Sequence, residues 1–219
     1  MQLGVLSDVH ANRIALEAVL ADMPPVEGLV CAGDVVGYNP WPKACLERLR
    51  AEGVVTIQGN HDRAVTGDTP FNFNGMAAAG VDYAREQLGQ ADIEWLRSLP
   101  TERTVDADRL KLVHGHPDDP DRYTYPEDFS PELLEGEELL VLGHTHHQHV
   151  EQYAEGTVLN PGSVGQPRDG DPDAAYAVVD LDAGTVDLRR VEYDVEAVVD
   201  AVAEAGLPER IGTRLRDGR

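Results

Sequence analysis

The chain is poor in cysteine and in positive charge, and each shortage narrows what it can be. Cys31 and Cys45 are the only cysteines in 219 residues. They give neither a disulfide framework nor a paired-cysteine zinc spacing, so a reducing compartment is expected. Lysine occurs twice, at Lys43 and Lys111, and 18 basic residues face 40 acidic ones for a net charge of -22. So negative a chain repels a nucleic-acid backbone unless a basic patch or bound cations intervene. No basic patch is apparent, and tight nucleic-acid binding is disfavoured. Arginine, Asp and Glu in plenty with almost no lysine resembles the acidic surface of a salt-adapted, halophilic organism. Also missing is any apolar run near the roughly 18 residues of a membrane span, and the N-terminus has no basic region or cleavage site. The expected location is the cytoplasm, without a membrane partner.

What is present fits a single domain over residues 1–219, with 42% apolar residues for its core. Residues 2–7 read as a strand, and Asn12 can cap a helix whose Ile14, Leu16, Val19 and Leu20 recur at helical spacing until Pro24 and Pro25. Strands follow at 29–31 and 54–57, with a helix at 41–52 between them and two more helices around 75–88 and 91–98. From 102 onward the runs at 102–106, 110–114, 139–142, 149–153, 157–160, 174–180 and 185–192 are short and strand-like, and a helix at 195–205 closes the fold. The expected class is α/β: a four-layer α-β-β-α sandwich of two mixed sheets. The irregular stretches 63–74 and 117–130 read as substrate-facing loops or surface insertions. The tail 206–219, with Arg210, Arg214, Arg216 and Arg219, reads as a docking arm or a frayed end.

Polar residues gather where the strands stop. The first strand leads into Asp8-Val9-His10, the second into Gly33-Asp34, the third into Gly59-Asn60-His61-Asp62, and later ones into His114-Gly115-His116 and Gly143-His144-Thr145-His146. In open α/β sheets, sites form at these carboxyl ends. Carboxylate, amide and imidazole donors together suit borderline divalent ions better than calcium or magnesium. There are more candidates than one ion can take, so two ions ~3.5–4 Å apart, sharing a carboxylate, are expected. Taken singly, Asp-x-His and Gly-Asp are ordinary turn sequences; the weight lies in five such motifs in order, each after an apolar run. His147 reads as a supporting or surface residue, His149 as the start of the next strand, and His116 as either a pocket residue or a turn residue before Pro117.

The series SDVHAN, CAGDVVGYNP, GNHD, VHGHP and GHTH, followed by LNPGS, resembles the calcineurin-like metallophosphoesterase superfamily, in particular its small single-domain bacterial and archaeal phosphodiesterases. The resemblance implies a phosphoesterase with two divalent transition-metal ions, manganese first, with nickel, iron, cobalt or zinc as alternatives. It implies that Asp8, His10 and His146 hold one ion and Asn60, His114 and His144 the other, with Asp34 bridging. A hydroxide between the ions would attack phosphorus in line, and His61 would protonate the leaving group or stabilise equatorial charge. A structural histidine capping a turn is the alternative for His61. Many members carry a second aspartate where this chain has Gly37; His61 is then expected to be oriented by Tyr38 or a main-chain carbonyl. A weaker acid favours phosphodiesters or activated phosphoesters.

Substrate contact is expected from Arg63, His116, Asn160 and Ser163, the last two from the NPGS turn, whereas surface roles are expected for Arg122 and Arg168. The partner is a small phosphoester, and a homo-oligomer is left open. Two other readings stand beside the enzyme: a scaffold of the same fold, which the presence of His61 disfavours, and a nuclease, which the net charge disfavours.

Overall fold

The apolar residues of the strands alternate between two destinations, and that alternation builds the layers. In the computed structural model, which describes residues 1–67 and 73–219, Leu3, Val5, Val30, Ile57, Ala177 and Val179 meet Leu110, Leu112, Leu139, Val141 and Leu159 in one buried cluster between two sheets. Their neighbours in sequence point the other way. Leu6, Cys31 and Tyr176 face outward onto helix residues such as Leu16, Val19, Leu46 and Leu49.

The first sheet has the order β10-β9-β1-β2-β3, where β1 is Gln2–Leu6, β2 Gly28–Cys31, β3 Val55–Thr56, β9 Ala174–Asp180 and β10 Thr185–Val191. Strands β1, β2 and β3 are parallel, and β9 and β10 add antiparallel partners. The second sheet runs β4-β5-β6-β8-β7, from Glu102–Val105, Leu110–Val113, Leu139–Val141, Thr157–Asn160 and His149–Gln152 respectively. Its three central strands are parallel and its two edge strands antiparallel. Helices α1 (Arg13–Asp22) and α2 (Pro42–Ala51) cover the outer face of the first sheet, with α4 (Gly75–Gln87) and α5 (Gln90–Ser98) beside them. Asn12 caps α1 as expected, its side chain accepting from Ala15 N at 3.1 Å. The sandwich of two mixed sheets is therefore as the sequence predicts. Its fourth layer is thin: Val113, Leu140, Leu142 and Val158 lie under Phe129 and Leu133, which belong to irregular chain with two 3-10 turns.

One stretch differs from expectation, and for the tail one of its two readings holds. Residues 63–66 are not loop but the end of α3 (Asn60–Thr66). All seven residues of α3 are buried although five of them are polar, so no apolar stripe marks a helical period. Residues 68–72 of the expected loop lie outside the described residues. The tail is docked rather than frayed. After α6 (Val195–Glu204), the short α7 (Arg210–Thr213) and a 3-10 turn bury Ile211 and Leu215 against Val198 and Val202. Leu207, Ile211 and Leu215 recur at helical spacing, a signal outweighed in the sequence by the intervening arginines. Arg216 pairs with Glu196 at 2.6 Å, and Gly218 O accepts from Gly170 N at 3.0 Å. Leu215→Ala is expected to destabilise the fold by ~2–5 kcal/mol, read as a lower urea midpoint at unchanged slope. No helix among the described residues is long and apolar enough to cross a membrane.

Candidate metal centre

Where β1, β2 and β6 stop, the chain turns sharply enough to aim consecutive side chains at one point. Asp8, His10, Asp34, His144 and His146 all have φ between 45° and 67°, a left-handed conformation that costs a non-glycine residue ~1–2 kcal/mol. Main-chain hydrogen bonds offset it: Asp8 N donates to Gly33 O at 3.0 Å, His10 N to Asp34 O at 2.9 Å and Ala11 N to Val35 O at 2.9 Å. Gly59 lets α3 start against this turn, since a Cβ there would strike the Asp34 carboxylate.

The ring orientations follow from what each second nitrogen touches. Nδ1 of His114 lies 2.7 Å from Ala32 O, that of His146 2.5 Å from Gln166 O and that of His10 3.3 Å from Val36 O. A carbonyl accepts only, so each Nδ1 carries the proton and each Nε2 turns inward. His144 is reversed: its Nε2 faces Asp121 O at 3.2 Å, leaving Nδ1 for the site. Consequently the Nε2 atoms of His10 and His146 sit 3.1 Å apart, each with its lone pair turned inward. Asp8 Oδ1 is 3.2 Å from His146 Nε2 and 3.7 Å from His10 Nε2, and this buried oxygen has no hydrogen-bond partner among the described residues. Acceptors aimed at one another repel; a divalent cation turns the same geometry into coordination.

A second group adjoins the first. Asp34 Oδ2 lies 3.3 Å from His114 Nε2 and 3.6 Å from His10 Nε2, and His114 Nε2 is 3.1 Å from Asn60 Oδ1. Asp8, His10 and His146 form one set able to hold an ion, and Asp34, His114 and His144 another, the donor atoms of each set lying within 4.8 Å of one another. Mixed carboxylate, amide and imidazole donors fit borderline divalent ions.

Burial pushes the imidazoles of His10 and His146 down, and that of His144 to about 3, which favours the neutral form a ligand needs. Burial alone would raise Asp8 and Asp34, but His146 beside Asp8, and His114 and His61 beside Asp34, hold both carboxyls below their ordinary range. At His114 the opposing influence wins: burial lowers its pKa, yet the Asp34 carboxylate carries it up to about 9. A proton therefore competes with an ion for that nitrogen.

His61 stands on the first turn of α3, and its backbone N donates to Asp34 Oδ1 at 2.8 Å. Its ring stacks on Phe73 at 4.6 Å between centroids, meets Tyr38 at 4.7 Å and has the edge of His10 at 4.8 Å. Neither expected orienting bond is made among the described residues. Tyr38 meets the ring at a tilt of 37° while its hydroxyl accepts from Arg168 Nη2 at 3.3 Å, and His61 Nδ1 is buried without a hydrogen-bond partner among the described residues. Ring packing orients His61, and Gly37 makes it feasible: at φ 92° it has room for the imidazole, whereas a Cβ would run into His61 Nδ1. Gly37→Ala is expected to leave metal content unchanged and to lower kcat by ~10²-fold through displacement of the ring, measured by elemental analysis and steady-state kinetics on one preparation.

The four expected substrate contacts lie elsewhere. Arg63 is committed to Asp121, and its Nη1 donates to Gln58 O at 3.4 Å. His116 Nδ1 accepts from Asp118 N within its own turn at 3.1 Å. Asn160 braces the turn holding His144 by donating to Gly143 O at 2.8 Å and Thr145 Oγ1 at 3.0 Å, and Ser163 Oγ donates to Asp8 O at 2.7 Å. None of the four is among the described residues lining the cleft over Asp34 and Asn60, a cavity of about 120 Å³. Arg168, expected on the surface, lines it, together with Tyr38, Phe73, Asn74 and Tyr123. Arg168 follows the NPGS turn and Tyr123 sits mid-loop; neither belongs to a motif that marks it. His147 packs against Tyr125 at 5.6 Å, and His149 begins β7 as expected.

Known proteins place this geometry in context. A metallophosphoesterase from Sphaerobacter thermophilus superposes with a TM-score of 0.86 at 35% identity, covering 100% of this chain and 99% of its own. A Methanocaldococcus jannaschii protein of uncharacterised function is 32% identical, over 99% of this chain and 98% of its length. The phosphodiesterase YfcE of Escherichia coli K12 is 29% identical over 85% of this chain and 91% of its own. The profile of the calcineurin-like phosphoesterase superfamily domain matches residues 1–184, and with the buried Asp, Asn and His donors converging as they do, the chain belongs to that superfamily as a metallophosphoesterase.

Proposed function

We propose that this metallophosphoesterase is a phosphodiesterase using two divalent ions, one held by Asp8, His10 and His146, the other by Asn60, His114 and His144, with Asp34 between them. The observation that carries the reading is the position of Asp34 Oδ2, 3.6 Å from His10 Nε2 on one side and 3.3 Å from His114 Nε2 on the other. When bound, the two ions supply a water deprotonated at neutral pH and neutralise charge on the phosphoryl oxygens; manganese is the first candidate, then nickel, iron, cobalt or zinc.

The chain's own groups do the rest. Arg168 Nη2 is hydrogen-bonded to Gln166 Oε1 at 2.7 Å and to the Tyr38 hydroxyl at 3.3 Å. Both partners are uncharged, so the guanidinium keeps its charge for an anionic phosphate in the cleft. His61 offers an imidazole N–H to the phosphoryl group or to the departing oxygen. Burial pushes its pKa down to about 4, which makes it a poor proton donor at neutral pH and favours diesters and other esters with good leaving groups. Asn160 and Ser163 hold the ligand-bearing turns in their left-handed conformations.

The test compares metal-free protein reloaded in turn with manganese, nickel, cobalt, zinc and magnesium. Bis(p-nitrophenyl) phosphate and p-nitrophenyl phosphate serve as diester and monoester. Two ions per chain and faster diester hydrolysis are expected. Full metal loading without turnover of either ester overturns the enzymatic reading in favour of a scaffold.

A further inference from the structure

Most large apolar side chains in this molecule are buried, and among the described residues the exposed ones are two: Tyr123, 47% exposed, and Tyr125, 37% exposed. They are neighbours in space. Their rings are nearly parallel, 12° apart in plane with centroids 5.9 Å apart. Tyr123 also stacks on His144, 3.9 Å between centroids and 25° between planes, and it lines the cleft over Asp34. Solvent-exposed aromatic rings held flat beside a polar cleft, where the other large apolar side chains among the described residues are wholly or partly buried, mark a ligand contact.

The size of the cleft says which part of a ligand reaches them. Pockets that enclose a whole small molecule measure ~300–1,000 Å³; this one, at about 120 Å³, takes a phosphoryl group and its nearest atoms. The rest of the ester must lie at the mouth. Arg168 and Tyr123 both line the cleft, so an ester whose phosphate meets Arg168 has its substituent within reach of the tyrosine ring. The loop is fixed on both sides of that ring: Arg63 pairs with Asp121, and Thr124 Oγ1 donates to Gly115 O at 2.9 Å. A ring held in place by its loop loses little entropy when something stacks on it.

We propose that the stacked pair Tyr123 and Tyr125 forms an aromatic shelf at the mouth of the cleft that selects phosphoesters carrying a planar aromatic group, a nucleoside base being the chemical class it fits. This rests on the phosphoesterase reading above and adds a specificity-determining residue to it. Stacking accepts any base and is sequence-tolerant, because every base presents a π-face. No basic groove is required, which agrees with a chain of net charge -22.

The test has a binding arm and a turnover arm. Calorimetry on manganese-loaded protein compares adenosine 5′-monophosphate with ribose 5-phosphate, which share phosphate and sugar and differ in the base. Turnover compares thymidine 5′-p-nitrophenyl phosphate with ethyl p-nitrophenyl phosphate, which share a leaving group. Preference for the member that carries the base by ~10-fold or more is expected in both arms, the p-nitrophenyl ring being common to the two diesters. Tyr123→Leu is expected to reduce the ratio to near one, with Tyr123→Phe retaining it, because the ring face and not the hydroxyl selects. Metal content is measured on each variant, since Tyr123 touches His144. Equal affinity for the two monophosphates, binding of neither, or a ratio unchanged in Tyr123→Leu overturns the shelf. Absence of turnover with the binding preference intact overturns the phosphodiesterase reading and leaves the shelf standing.

Discussion

Asp34→Ala is expected to lower metal-dependent diester hydrolysis by ~10³-fold or more and to reduce the bound metal below two ions per chain. The carboxylate is buried and does three things at once. Its Oδ2 faces His10 and His114, its Oδ1 accepts the backbone N–H of His61 at 2.8 Å, and its side chain fills the space that Gly59 leaves open. Charge stabilisation from bound cations amounts to several kcal/mol, and each 1.36 kcal/mol is tenfold in rate. Alanine removes the charge and the anchor of α3 together, so Asp34→Asn is the companion variant. It keeps the volume and an oxygen for His61 N–H while removing the charge. The expected order is therefore wild type, then Asn with its thermal midpoint near normal but metal lost, then Ala with both lost. A variant retaining two ions and a tenth or more of wild-type turnover would place Asp34 outside the centre.

The reason this centre is legible in the sequence is architectural. Each candidate ligand lies within five residues of the end of the strand before it, and parallel strands in two facing sheets bring those ends together. Asp8, Asp34, His114 and His144 can be read as soon as the apolar runs before them are recognised. What sequence does not display is whether a polar side chain is already occupied. Asn160 and Ser163 have the right chemistry for phosphate, yet their hydrogen bonds go to Gly143, Thr145 and Asp8. Arg63 likewise is taken by Asp121. Conversely, Arg168 has no motif to announce it; its position depends on the turn after β8 swinging back over Tyr38, whose ring its guanidinium overlies at 5.7 Å. The helix α3 was hidden for a related reason, since a short element buried on every side has no periodicity to reveal it.

His61→Ala is expected to lower kcat by ~10²–10⁴-fold with both ions retained, and the dependence on leaving group identifies what the ring does. A general acid matters more as the departing oxygen becomes more basic, so its removal steepens a plot of log kcat against leaving-group pKa. A neutral N–H donor to an equatorial oxygen helps every ester alike, and its removal lowers the plot without changing its slope. Burial is the main cause of the pKa of about 4 at His61; Asp34 opposes it, and Arg168 and neighbouring imidazoles reinforce it. Cations beside the ring disfavour its charged form further. A group with so low a pKa has no proton to give away at pH 7, only an N–H to share. The parallel displacement is therefore the expected outcome across a series of aryl phosphodiesters, with kcat flat from pH 6 to 8 as far as His61 is concerned. A steeper slope in the variant would mean that the bound substrate's negative charge lifts the imidazole far enough to hold a transferable proton, and the ring would then be the general acid.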